Sequence, residues 1–203
     1  MTRIISEKNQ KMKILVACEF SGIVREAFRK KGHEAWSCDI LPTEIPGNHI
    51  KDDVLNHLNE GWDMMIAHPP CTFLCNSGVR WLHSDLNRWC KLQTAKDFFK
   101  IFLESDITKI CIENPIPHKY AELPKYTQLI QPYEYGHLER KATCLWLKNL
   151  PKLVPTNNTF KQMKLLPKNQ QQRIHYIAKS PQRSKLRSIT FQGIAEAMAN
   201  QWG

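Results

Sequence analysis

From Arg140 to Ala195 the sequence contains no aspartate or glutamate, although twelve lysines and arginines fall in that stretch. The whole chain of 203 residues carries 29 basic and 19 acidic side chains, a formal charge of +10. Outside the stretch, 17 basic residues face those 19 acidic ones, so the positive excess belongs to this one segment. Such asymmetry favours a polyanionic partner, nucleic acid before membrane, over a merely solubilising surface. No apolar run approaches the roughly 20 residues of a membrane-spanning helix. The polar start from Met1 to Lys13 lacks the apolar stretch of a secretory signal. Internal repeats and low-complexity tracts are missing too. Together these absences imply a soluble, cytoplasmic protein without a membrane partner.

Two phosphate-binding signatures are also missing. There is no G-x-G-x-x-G and no G-x-x-x-x-G-K-[ST], which disfavours pyrophosphate cradling and Walker-type phosphate transfer. Paired C-x-x-C spacing is lacking as well, so His68, Cys71, Cys75 and His83 do not read as a zinc site and no metal is expected. The seven cysteines are an odd number in a chain of ordinary size, which argues against a disulfide scaffold. Most read as reduced, small, buried hydrophobes.

What is present is an alternating pattern. Lys13 to Cys18 is a short apolar run that reads as a strand buried on both faces, bounded by the Ser21-Gly22 turn. Ile23 to Lys31 has helical spacing and stops at Gly32; Glu34 to Cys38 is a second strand ending at Asp39. Trp62 to Ala67 is a third strand, broken by His68-Pro69-Pro70, and Leu86 to Ser105 is a helix. Ile107 to Ile112 is a fourth strand, ending at Glu113-Asn114-Pro115. Lys141 to Leu147 reads as strand, Pro151 to Arg187 as irregular, and Thr190 to Trp202 as a closing helix. Strands alternating with helices predict an α/β fold with a parallel sheet and right-handed crossovers.

In such a sheet, ligands bind beyond the carboxyl ends of the strands. Residues following the strands are therefore the candidates. A turn of small residues after the first strand and an acid, Asp39, after the second suit a nucleoside-bearing cofactor without phosphates. The acid would accept hydrogen bonds from ribose hydroxyls. Two prolines hold Cys71 in an extended, rigid loop, because they fix the backbone and remove two donors. With Glu113 at the neighbouring strand end, Cys71 forms a nucleophile-plus-acid pair.

These residues, in this order, resemble the DNA cytosine-5 methyltransferases. Phe20-Ser21-Gly22 is similar to the family's turn around S-adenosylmethionine, Asp39 to its ribose-binding acid, and Asp53-Val54 to the segment that meets adenine. Pro70-Cys71 resembles the catalytic-loop Pro-Cys, and Glu113-Asn114 the pair that grips the target base. Arg140 falls in the region of the family's arginine-bearing strand, and Gln192 to Ala195 resembles its final helix.

The resemblance implies a Rossmann-like S-adenosylmethionine-dependent methyltransferase fold with a mostly parallel, twisted sheet. It implies a flexible extension over 1–12, a catalytic core over 13–153, a reduced target-recognition segment over 154–188, and a helix returning to the core over 189–203. It further implies methyl transfer to C5 of cytosine in DNA through a covalent Cys71 adduct at C6, with a protonated Glu113 bonded to N3 and Asn114 positioning it. Lys161, Lys164, Lys168, Arg173, Lys179, Arg183, Lys185 and Arg187 would hold phosphates. No obligate protein partner is implied. Two alternatives remain open: modification of a pyrimidine in single-stranded nucleic acid, RNA or free nucleotide, and a catalytically silent nucleic-acid-binding protein.

Overall fold

Lys13–Ala17 forms β1, and from Ile14 onward its apolar side chains are fully enclosed, as a strand covered on both faces requires. The computed structural model describes residues 10–203, so most of the extension expected over 1–12 lies outside the described residues. Met12 is already tied down, its N–H donating to His33 Nδ1 at 3.2 Å. After β1 come α1 (Ile23–Arg29), β2 (Glu34–Cys38), β3 (His49–Ile50) and β4 (Met64–Ala67). Then follow α2 (Asn87–Glu104), β5 (Lys109–Pro115), β6 (Gln128–Ile130) and β7 (Thr143–Lys148). Four short helices, α3 (Phe160–Lys164), α4 (Lys168–Gln171), α5 (Arg173–Tyr176) and α6 (Arg183–Ser188), precede the closing α7 (Gln192–Trp202).

The strands form one sheet in the order β3-β2-β1-β4-β5-β7-β6. β1 to β5 run parallel, while β7 runs antiparallel to both β5 and β6. The chain builds outward from β1 in one direction through β2 and β3, then returns to build β4 and β5 on the other side. Strand order therefore reverses between β1 and β4, which opens a crevice at their carboxyl ends.

The period-two alternation of the strands divides the core into two layers. Ile14, Val16 and Ile66 pack with Phe28 of α1 and with Ile194, Met198 and Trp202 of α7. Leu15, Ala17 and Met65 pack on the other face with Leu92, Phe99 and Phe102 of α2. Among the described residues no helix is long and apolar enough to cross a membrane.

Several expectations need correction. Glu113, Asn114 and Pro115 do not follow the fourth expected strand but continue it, as part of β5. The parallel ladder with β4 ends at Ala67 opposite Ile112, and the last three residues pair only with Leu145, Cys144 and Thr143 of β7. An antiparallel partner thus supplies hydrogen bonds beyond the end of the parallel sheet. The sheet is thus mostly parallel, as expected, with β7 as its antiparallel member. Residues 151–187 are not merely irregular, since α3 to α5 and nearly all of α6 lie within them. β3 and β6, of two and three residues, are too short to leave a periodic signal.

Candidate active site

The crevice is a cleft of about 1100 Å³, floored by the strand ends and covered by the segment that carries α5 and α6. Its two halves differ in charge. Asp39, Asp52 and Asp53 line the part beyond β2 and β3, whereas Lys141, Lys179, Arg183, Lys185 and Arg187 line the rest.

The acidic half begins with the turn after β1. Gly22 has φ +76°, and a Cβ there would stand 2.7 Å from Arg25 Nη2, so glycine suits this position twice over. The Glu19 carboxylate accepts from the N–H groups of Val24 at 2.7 Å and Arg25 at 3.2 Å, and from the Ser21 hydroxyl at 3.2 Å. The first turn of α1 is therefore satisfied by the chain's own carboxyl, which burial pushes up while His68 and these hydrogen bonds act in the opposite sense. Phe20 lines the cleft; Ser21 and Gly22 shape the turn behind it without lining it. Arg25 is fully buried and donates to Ser37 Oγ at 2.9 Å, Thr43 Oγ1 at 3.2 Å and the carbonyl of Ile45. It holds the loop after β2 in place.

Asp39 lines the cleft with Oδ1 accepting from Leu41 N–H at 2.8 Å, and burial holds its carboxyl above the usual range. Asp53 caps the 3-10 turn Val54–His57 through Leu55 N–H at 3.0 Å, and Val54 and Pro70 complete this wall.

Cys71 lies in the other half, half-buried and facing the cleft. Its carbonyl accepts from the N–H groups of Leu74 and Cys75, both at 3.0 Å, which fixes the turn after the two prolines. A hydrogen bond with Cys75, together with burial, pushes its thiol well up, while Lys141 and Arg187 act in the opposite sense. The resting group is the thiol.

His68, at the end of β4, donates its N–H to Ala17 and sits with Nδ1 3.3 Å from Glu113 Oε2. Both side chains are almost enclosed, with exposures of 11% and 10%. Burial alone would drive each towards neutrality. Instead, the His68 contact, helped by Lys141, holds Glu113 below the usual carboxylate range. Glu113 and Glu19 hold His68 above the usual imidazole range, against its burial. Each group thus favours the charged form of the other, against the burial of both. Asn114 is placed differently from the expectation. Its Nδ2 donates to the Pro69 carbonyl at 3.3 Å, tying β5 to the Cys71 loop.

Arg140 does not line the cleft. Its guanidinium lies over the Phe160 ring at 5.9 Å, and its N–H donates to the Gln171 carbonyl at 2.7 Å. The next residue, Lys141, faces the cleft in its stead, since neighbouring residues of an extended chain point to opposite sides.

The eight basic residues expected at phosphates divide evenly. Lys179, Arg183, Lys185 and Arg187 line the cleft, whereas Lys161, Lys164, Lys168 and Arg173 do not. Arg173 pairs with Glu139 at 2.9 Å, and Arg183 donates to the carbonyls of Ile177 at 2.8 Å and His175 at 3.2 Å. Sequence reasoning missed Lys141 and gave His68 only a metal-ligand reading. The available signals were a basic neighbour to Arg140 and a histidine at the strand end leading into Pro-Pro-Cys.

No family model matches the chain, and no curated protein matches it by sequence. Among solved structures it is similar to a candidate DNA modification methyltransferase encoded within a prophage (E. coli), with a TM-score of 0.47 and 15% identity over 78% of this chain and 56% of that one. It is also similar to Entamoeba histolytica methyltransferase EhMeth, with a TM-score of 0.48 and 14% identity over 74% of this chain and 58% of that one. The chain thus spans less than two thirds of either protein. The strand order defines the fold class: a Rossmann-like α/β fold, with antiparallel β7 between β5 and β6.

Proposed function

We propose that the protein transfers a methyl group from S-adenosylmethionine to C5 of cytosine in DNA, through a covalent adduct between Cys71 and C6. One observation carries the reading: Cys71, Lys141 and His68 line a single cleft with Asp39 and Asp53, and Glu113 stands against His68, its Oε2 3.3 Å from Nδ1.

The acidic half suits the cofactor. Glu19 already occupies the first turn of α1, where the phosphates of a dinucleotide would bind. The carboxylates lining this half instead suit a ligand that bears hydroxyls and positive charge. Phe20, Asp39, Asp53, Val54 and Pro70 would hold it, with Ser21 and Gly22 shaping the turn behind. When bound, S-adenosylmethionine supplies an electrophilic methyl group on a sulfonium.

Cytosine C5 is a weak nucleophile, and Cys71 corrects this. As the sulfur bonds to C6, the ring becomes enamine-like and C5 can take a methyl group. Loss of the C5 proton then expels the thiolate and restores the ring. Lys141 and Arg187 favour the thiolate form of Cys71. Glu113 holds the N3 edge of the base, and Asn114 holds the Cys71 loop against β5. In a duplex the base must first leave the stack, at a cost of a few kcal/mol. Lys179, Arg183, Lys185 and Arg187 would engage phosphates near the cleft, with Lys161, Lys164, Lys168 and Arg173 extending the contact beyond it.

The test is to incubate the protein with S-adenosylmethionine and single-stranded or duplex oligonucleotides, digest them, and weigh the nucleosides. Deoxycytidine heavier by one methylene, produced by the wild type and not by Cys71→Ser, is the expected result. Unmodified DNA with modified RNA or free nucleotide would move the substrate. No modified nucleoside from any of these would overturn the enzymatic reading.

A further inference from the structure

The histidine that leads into Pro-Pro-Cys is nearly enclosed and placed beside the carboxylate assigned to the base in the proposed reaction. His68 Nδ1 lies 3.3 Å from Glu113 Oε2, an ion-pair contact that a small adjustment tightens into a hydrogen bond. His68 Nε2 and Glu113 Oε2 are both enclosed without a hydrogen-bond partner among the described residues. Two polar atoms left unpaired in this way are costly unless something else uses them. His68 itself lines the cleft.

We infer that His68 supplies the proton that the base takes at N3, with Glu113 as the relay, so that the pair acts as one acid. This rests on the covalent reading given above and deepens it. As the sulfur–C6 bond forms, the Cys71 thiol proton passes to water. The C5–C6 π pair moves to C4–C5, and the C4–N3 pair moves onto N3. N3 takes a proton from the Glu113 carboxyl, which has received it from His68 Nδ1. When C5 later loses its proton and the C6–S bond breaks, N3 returns its proton to the pair. Atoms and charge balance over the cycle.

An ionised glutamate alone could not do this, since it carries no proton to give. The charged groups facing His68 are Glu113 from β5, Glu19 from the turn after β1 and Lys141 from the residues before β7. Two of the three are carboxylates, and they strengthen the hold of His68 on its proton against its burial. Lys141 opposes them and limits how firmly the proton is held. A donor held this way is neither too weak to protonate nor too strong to be restored.

The test needs no methyl donor. Addition of Cys71 at C6 makes C5 take up a solvent proton, so turnover in heavy water replaces the C5 hydrogen of cytosine with deuterium, read by mass or NMR. Wild-type exchange should fall at alkaline pH where the His68 Cε1–H resonance titrates. His68→Gln should slow exchange at neutral pH by about tenfold or more and move its alkaline limb to lower pH. If folded His68→Gln keeps both the rate and the limb, His68 is merely structural and the inference fails. If that variant does not fold, the wild-type titration decides. A His68 resonance that follows the exchange limb, and drops towards ordinary values in Glu113→Gln, supports the relay; one that stays neutral throughout overturns it. Loss of exchange in Cys71→Ser separates this from the reading beneath: a wild type that never exchanges sinks both, while exchange indifferent to His68 sinks only the relay.

Discussion

Lys185 bridges the mouth of the cleft, its Nζ 2.8 Å from Glu44 Oε1 and 4.9 Å above the Phe20 ring. It fastens α6, on the basic side, to the loop after β2, on the acidic side. Both charged side chains are about two-fifths exposed, so the pair contributes only about 0–1 kcal/mol. This is a fastening that opens readily. Lys185→Ala should leave the melting temperature nearly unchanged and speed proteolytic cleavage within residues 176–188. Equal cleavage rates would show that other contacts hold the segment.

Lys141 and Arg140 should behave oppositely. Lys141→Met should lower methyl transfer roughly 10–100-fold, the scale of losing one electrostatic stabiliser, and slow alkylation of Cys71 by iodoacetamide. Arg140→Met should do neither to a comparable extent, because its guanidinium lies over Phe160. The reverse pattern would return the role to Arg140.

Asp39→Ala should weaken S-adenosylmethionine binding by roughly 10–100-fold, corresponding to about 1.5–3 kcal/mol for hydrogen bonds to a charged group. Calorimetry measures this directly. Affinity that does not move would remove Asp39 from the ribose role.

The His68–Glu113 pair gives stability a defined pH window. Glu113 is held low in the fold, so it stabilises above the ordinary carboxylate range and loses this as pH falls through its lowered value. His68 is held high, so it stabilises below the ordinary imidazole value and loses this as pH rises through its raised one. Melting temperature should therefore be highest between the two. His68→Gln should lower it at neutral pH and remove the His68 part of the alkaline decline. A variant curve parallel to the wild type would contradict the pairing.

Replacing Lys161, Lys164 and Lys168 together with Gln should weaken nucleic-acid binding with little sequence bias. For every phosphate that is no longer neutralised, the salt dependence should flatten by roughly 0.7–0.9 in log–log slope. An unaltered slope would place the binding surface at the cleft residues alone.

Local patterns made much of this legible. The β-branched run of β1 and the alternation of β2 stand out in the sequence because each is fixed by its own burial. Cys71 was legible because two prolines constrain it locally. Glu113 was found but misplaced, because its backbone partner is Leu145, more than thirty residues away, and an antiparallel register leaves no local trace. The choice between Arg140 and Lys141 turned on one position in an extended segment, where a shift by one residue exchanges inside for outside. His68 was hardest to see, since its role depends on two carboxylates brought together from separate strand ends.

The carboxylate of Glu19 also decides what the cleft ignores. ATP and the dinucleotides are adenosine compounds that carry phosphates. A helix start whose Val24 and Arg25 N–H groups are already taken by the Glu19 carboxyl gives those phosphates no seat. For the proposed methyl donor, phosphate-bearing competitors would thus be turned away at the door, before any contact with its own methyl group.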